Sequence, residues 1–319
     1  MQIHLGSRAV AIGQGALNAQ NFTSATDNYN IAIGYAAGAS VTTGIQNTLI
    51  GGLAGDAITT GVRNTAVGYN AGGAITTGDF NTAVGRTALE NTTTADGNTA
   101  VGVAALAQNT TGASNTSMGY LALNLNTTGA SNTAVGVSAL SANTTANNNT
   151  ALGFHSLLSN TTGTENVGLG RYTLYTTTTG DFNTAVGTNA MFANTTADNN
   201  TAVGSNALAA NTTGGTNTAV GASSLGANTT GSFNSALGYN TMGANTEGDS
   251  NVAIGWGALD ANTTADNNTA VGKSALTANT TGANNTAMGN AALATNTTGA
   301  SNTAIGSSAM QATTTGSQS

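Results

Sequence analysis

One period governs the chain. The string Asn-Thr-Ala-Val-Gly begins at Asn64, Asn81, Asn98, Asn132, Asn183, Asn200, Asn217 and Asn268. Looser copies begin at Asn30, Asn47, Asn115, Asn149, Asn166, Asn234, Asn251, Asn285 and Asn302, and from Asn30 to Asn302 the spacing is 17 residues without a slip. An earlier copy, Ala9-Val10-Ala11-Ile12-Gly13, starts 21 residues before Asn30, which leaves a four-residue insertion within 21–29 and makes 18 copies. A period of this size marks an architecture in which each unit packs only on its neighbours.

Numbering the repeat from its Asn as position 0 gives the consensus N-T-A-V-G-x-x-A-L-x-x-N-T-T-G-x-x. Gly, Asn and Thr recur too densely for a long helix. The period suits a parallel β-solenoid in which each repeat is one coil and identical residues stack on successive coils. The absence of Pro fits, because nearly every backbone N–H is needed in a ladder. The expected architecture is all-β, a β-roll of about 18 coils, divided into 1–29 (a cap and an irregular first coil with the insertion), 30–312 (regular coils) and 313–319 (a tail).

Positions 1 and 3 share one face of a short strand by the two-residue period. Position 3 is aliphatic in every copy, and position 1 becomes Val10, Ile31, Val167 and Val252. That face is predicted to be the core, built from Ile12, Ile33, Ile50, Val67, Val84, Val101, Val135, Val186, Val203, Val220, Ile254, Val271 and Ile305. Position 2, small everywhere except Leu49, then points outward against a second chain. Position 4 is always Gly: Gly13, Gly34, Gly51, Gly68, Gly85, Gly102, Gly136, Gly187, Gly204, Gly221, Gly255, Gly272 and Gly306 are among the 18, and a positive φ or a tight turn is the expected reason. Position 8 supplies a second apolar group, as in Leu89, Leu140 and Leu276. Where position 8 is Gly38, Gly55 or Gly72, position 11 is Val41, Ile58 or Ile75 instead of Asn, an exchange of volume that places both positions beside one interior. Stacked Asn at position 11 predicts a side-chain ladder.

Composition limits function. Leu, Ile, Val and Phe make up 52 of 319 residues, a thin supply for a globular core, while the net charge of −7 is too low for a solvated tail. No run approaches the ~18 apolar residues that span a bilayer, and no secretion signal is apparent at the N-terminus. Five basic residues cannot build a phosphate-binding face, so nucleic acid is not an expected partner. Zero Cys removes thiolate metal sites and thiol nucleophiles. No phosphate-loop motif occurs, and no cofactor is expected.

Candidate sites are few. Tyr35, Tyr69, Tyr120, Tyr239 and Trp256 all occupy position 5 and are candidates for stacking on glycans. Asp79, Asp96, Asp181, Asp198, Asp249 and Asp266 occupy position 15 in three pairs, each pair on neighbouring coils. Stacked like charges repel, which a bridging cation or exposure to water would relieve. His4 and His155 have no repeating partner set and are read as surface residues, so no catalytic residue is assigned.

The pentads Asn251-Val252-Ala253-Ile254-Gly255 and Ala9-Val10-Ala11-Ile12-Gly13 resemble the S-V-A-I-G head repeat of trimeric autotransporter (YadA-like) adhesins, and similar repeats of bacteriophage tail fibres. The resemblance covers Ala9 to about Gly316. It implies a left-handed parallel β-roll, three chains around one axis, and attachment of an extracellular or virion fibre to a surface glycan or protein receptor. The coils here are longer than the usual head repeat, and neither stalk heptads nor a membrane anchor is seen, which favours a phage fibre or a self-assembling filament subunit. An ice-binding solenoid, motivated by the Thr-rich repeat and low charge, is the alternative from a different class, and a fibre-borne polysaccharide depolymerase using the Asp pairs is a third.

Overall fold

The computed structural model describes residues 8–20 and 27–318. Residues 1–7 of the cap, His4 among them, residues 21–26 of the stretch that holds the insertion, and residue 319 of the tail lie outside the described residues. Each repeat forms one coil with a single three-residue strand at positions 1 to 3, from β1 (Val10–Ile12) to β18 (Thr303–Ile305). The chain divides into two compact units, Met1–Thr162 and Gly163–Ser319. Unit 1 contains β1 to β9 (Thr150–Leu152), and unit 2 contains β10 (Val167–Leu169) to β18. Within each unit every strand pairs in parallel with the next, and identical repeat positions face each other: Thr65 opposite Thr82, Ala66 opposite Ala83, Val67 opposite Val84. The fold is therefore an all-β parallel solenoid with a 17-residue coil.

The strand faces are reversed relative to the sequence expectation. Position 2 points inward: Ala83, Ala134, Ala185 and Ala270 are buried. Position 3 points outward. Ile12 is 48% exposed, Ile254 40% and Ile305 71%, and Ile33, Ile50, Val67, Val84, Val101, Val135, Val186, Val203, Val220 and Val271 are likewise only half covered or exposed. The reason is volume. Each coil encloses the Ala of position 2, a small residue at position 7 and one large group from position 8 or 11, and an aliphatic residue at position 2 would exceed that space. The close neighbour that keeps position 2 small is the coil's own interior. Leu49 is the exception that shows the rule. It is fully buried, and its methyls occupy the space left by the missing side chains of Gly38 and Gly55; a Cβ on either glycine would come within 2.6 or 2.7 Å of them.

The exchange between positions 8 and 11 is present as expected. Val41, Ile58 and Ile75 are buried in the coils whose position 8 is Gly. A Cβ on Gly72 would meet Ile75 Cδ1 at 2.9 Å, so the two positions share one space. Position 8 has a left-handed backbone in every described coil, with φ of 51° at Leu89 and 54° at Leu140, which also makes Gly acceptable there. Each fully buried Leu contributes roughly 1.5–3 kcal/mol, which outweighs the ~1–2 kcal/mol cost of that backbone.

Two amide ladders fill the rest of the interior. At position 0 each Asn Oδ1 accepts the backbone N–H of the Asn one coil on, as from Asn81 to Asn64 and from Asn98 to Asn81 at 2.9 and 3.0 Å. Its Nδ2 donates to the position-14 carbonyl of its own coil, as Asn81 does to Ala95 at 2.8 Å. At position 11, Asn126 donates to Asn109 Oδ1 and Asn143 to Asn126 Oδ1 at 2.8 and 2.7 Å. These Asn are buried. A buried amide is stable with partners, and the ladders supply them from the same coil and from the neighbouring one. This polar stacking explains how so few large apolar residues suffice. The last residues continue the pattern, since Gln318 N–H donates to the Ala300 carbonyl.

Candidate functional site

The outward strand face is the most extended feature. In unit 1 position 3 runs from Ile12 through Val84 and Met118 to Leu152, and in unit 2 from Leu169 through Val220 and Leu237 to Ile305, one aliphatic side chain per coil. Beside it, position 1 carries an unbroken Thr row from Thr48 to Thr150 in unit 1. The ladder spaces these rows by about 4.8 Å per coil. An outward apolar row of this regularity is the chain's candidate interaction surface.

The position-5 residues Tyr35, Tyr69, Tyr120, Tyr239 and Trp256 are all exposed, between 54% and 62%. They stand on separate coils of the turn that follows the strand. In unit 1, Gly52, Arg86 and Val103 interrupt the series; in unit 2, Tyr239 and Trp256 lie on adjacent coils, and the Lys273 ammonium sits 5.3 Å from the Trp256 ring. Further exposed aromatics occupy position 16, including Phe80, Phe182 and Phe233, where φ is near +60°.

The position-15 carboxylates have a structural task. Asp96 Oδ1 accepts the N–H of Asp79 at 2.8 Å, and Asp79 Oδ1 accepts that of Val62 at 2.7 Å. The same relay joins Asp198 to Asp181 and Asp181 to Thr164, and Asp266 to Asp249 and Asp249 to Ser232. Asn147 and Ser317 do likewise without charge. Each carboxylate thus satisfies the backbone of the preceding coil, and the side chains remain at the solvent edge. Among the described residues no three His, Asp or Glu side chains group as a metal site.

His155 is half-buried, and its ring stacks on Phe154 with centroids 3.8 Å apart. At position 9, desolvation raises Asp56 and Asp260 above the ordinary carboxylate value. At Asp260 the Gly243 backbone N–H and Asn240 Nδ2, 2.7 Å away, oppose the shift.

Sequence reasoning overlooked one aromatic group. Tyr172 at position 6, Tyr175 at position 9 and Phe192 at position 9 of the next coil form a cluster in unit 2. The signal was available: position 9 is small or polar in most coils, and two successive aromatics there break the pattern.

Comparison of the chain with protein family models, with curated proteins and with solved structures finds no match.

Proposed function

We propose that the protein is a non-catalytic structural fibre that self-associates through the outward face of its strands and serves attachment to a surface, outside the cell or on a virion. One observation carries this reading: the aliphatic row of position 3, flanked mostly by Thr or Val at position 1, faces outward along both units at a fixed spacing, half covered in some coils and exposed in the others. A second copy of the same chain has that spacing throughout, so every coil of one copy meets an equivalent coil of the other. A partner without the 17-residue period would lose register after a few coils. Three copies is the number implied by the resemblance to trimeric adhesins. The glycan or protein receptor is then met by outward residues beyond the strand face, among them the position-5 aromatics.

Light scattering tests this directly. The wild type is expected at three times the 30.9 kDa chain mass. The double variant Val186→Glu, Val220→Glu places two charges on the outward face without entering the interior, and is expected at the mass of one chain with unchanged β-structure. A wild type that is monomeric at all concentrations would sink the proposal. In that case the ordered row from Thr48 to Thr150 favours the ice-binding reading, which thermal hysteresis measurements decide. The position-12 and position-13 threonines contribute less to such a face. Thr59 and Thr76 at position 12 direct their hydroxyls to the next coil's carbonyl, leaving only the position-13 row, such as Thr60 and Thr77, exposed.

A further inference from the structure

The aromatic cluster of unit 2 ends in an unfilled place. Tyr175 and Phe192 lie on successive coils with rings parallel to within 5° and centroids 5.0 Å apart, about the pitch of the coils themselves. Tyr172 meets both rings edge-on and fixes them. The next residue in this column is Ala209, so the stack stops after two rings. One face of Phe192 is covered by Tyr175. Phe192 is 37% exposed and, together with Ala209, Asn189 and Asn206, lines an open groove. A third ring has room above Ala209, at the spacing the first two set.

Two amides border that place. Asn189 Nδ2 donates to Asn206 Oδ1 at 3.2 Å. Asn206 Nδ2 in turn donates one hydrogen to Ser205 Oγ at 3.4 Å, which leaves Asn189 Oδ1 as an acceptor and the second Nδ2 hydrogen of Asn206 as a donor. An aromatic face beside one acceptor and one donor matches a pyranose ring, whose C–H face is apolar and whose neighbouring hydroxyls both donate and accept. The four lining residues are uncharged, and the nearest cation, Arg171, lies over Tyr172 at 4.5 Å. That excludes a charge partner for an anionic sugar within the groove.

We propose that this groove binds one pyranose ring of a neutral glycan, stacked on Phe192 over Ala209 and held by Asn189 and Asn206. Positions 6 and 9 belong to the turn after the strand, so the site does not depend on self-association through the strand face.

Saturation-transfer NMR with four oligosaccharides, the hexaoses of β-1,4-glucose, α-1,4-glucose, β-1,4-xylose and β-1,4-N-acetylglucosamine, reads the site out. At least one is expected to receive magnetisation. Phe192→Ala should weaken it about tenfold or more, the size of a lost stacking contact. Ala209→Phe should abolish it by supplying the third ring from the protein, with the circular dichroism spectrum unchanged because Phe is already accepted at this position in the preceding coil. Asn206→Ala, on an exposed side chain, gives an independent loss should Ala209→Phe fold poorly. Asn290→Ala, an exposed turn residue five coils on from Asn206, should bind as wild type. The proposal is overturned if no sugar receives transfer, if N-acetyl-phenylalaninamide binds and no sugar does, or if binding survives Phe192→Ala and Asn206→Ala. Light scattering on the same samples reports the fibre reading separately.

Discussion

Replacing Gly255 by Ala should destabilise unit 2 severely, whereas the same change at Gly257, two residues on, should be almost silent. Gly255 has a φ of +127°, a region that L-residues avoid, at a cost of about 1–3 kcal/mol. A Cβ there would lie 2.7 Å from both the carbonyl carbon and oxygen of Gly272 and 3.0 Å from Lys273 N. Those atoms are backbone and are held by the Gly272 N–H bond to Ile254 O at 2.8 Å, so the coils must part by several tenths of an ångström. Overpacking of this kind costs roughly 1–3 kcal/mol more, for a total near ~4 kcal/mol. Gly257 has φ +60° and nothing within 4 Å of its would-be Cβ. Ala already occupies the equivalent position at Ala36, Ala104 and Ala291, with φ between 52° and 54°. The ~1 kcal/mol cost of the left-handed backbone is nearly offset by the entropy that Ala removes from the unfolded chain. Urea titration followed by Trp256 fluorescence is the assay, because the only tryptophan sits between the two sites. With a slope of roughly 2 kcal/mol per molar, the two midpoints should differ by about 2 M. Repeat arrays can open locally, and the probe reports the coil in question. Midpoints within about 0.5 M of each other would refute the argument that coil-to-coil contact, beyond the dihedral, fixes glycine at position 4.

Two further outcomes follow from the interior and from its edge. Asn200 accepts the Asn217 N–H at 2.9 Å and donates to the Gly214 carbonyl at 3.0 Å, so Asn200→Ala strands two buried groups at about 1–3 kcal/mol each; the Asn217 amide should then exchange with deuterium much faster, and unchanged protection would contradict the ladder. Burial favours the protonated form of Asp260 in the folded chain, so its contribution to stability is present below the ordinary carboxylate value and is lost as pH rises through the raised one. Asp260→Asn should therefore be the more stable protein at pH 7 by less than ~1 kcal/mol, since the group is largely solvated, and equal to wild type at pH 3; a less stable variant at pH 7 would reverse the sign and dismiss the reasoning.

The coil period and the exchange of volume between Gly72 and Ile75 were legible because both are relations among copies within one chain. The direction of the strand was not, since alternation shows that positions 1 and 3 share a face without showing which face is inside. Volume held the missing information. Position 3 accepts Val, Ile, Leu and Met, as at Val101, Ile254, Leu152 and Met288, whereas position 2 departs from small residues once, at Leu49, and only with Gly38 and Gly55 beside it. A packed interior tolerates little change in volume and a surface tolerates much. The left-handed backbone was half legible. Position 16 is rich in the residues that accept it, such as Asn148, Asn199 and Asn284, but position 8 is filled by Leu, whose burial outweighs a conformation that its propensity would not suggest.

This division of labour also locates function. The interiors of the described coils bury alkyl, thioether, hydroxyl and amide side chains, and along the two ladders Asn bonds to Asn one coil away. Such positions are bound to the repeat: a change at position 0, 2, 4 or 11 disturbs two neighbouring coils at once. Chemistry particular to one coil must then be carried by positions that the stacking leaves free, among them 5, 6, 9, 13 and 16 outside the strand and 1 and 3 on the strand face. At positions 1 and 3 the residues repeat, which suits a partner that also repeats. At positions 6 and 9 they do not, and Tyr172, Tyr175 and Phe192 against Ala209 form a feature found in one short stretch of unit 2, which suits a ligand the size of a single ring. The two surfaces therefore suit the two proposed partners, a second copy of the chain for the strand face and a small, discrete ligand for the turn, and substitutions in one should leave the other's binding intact.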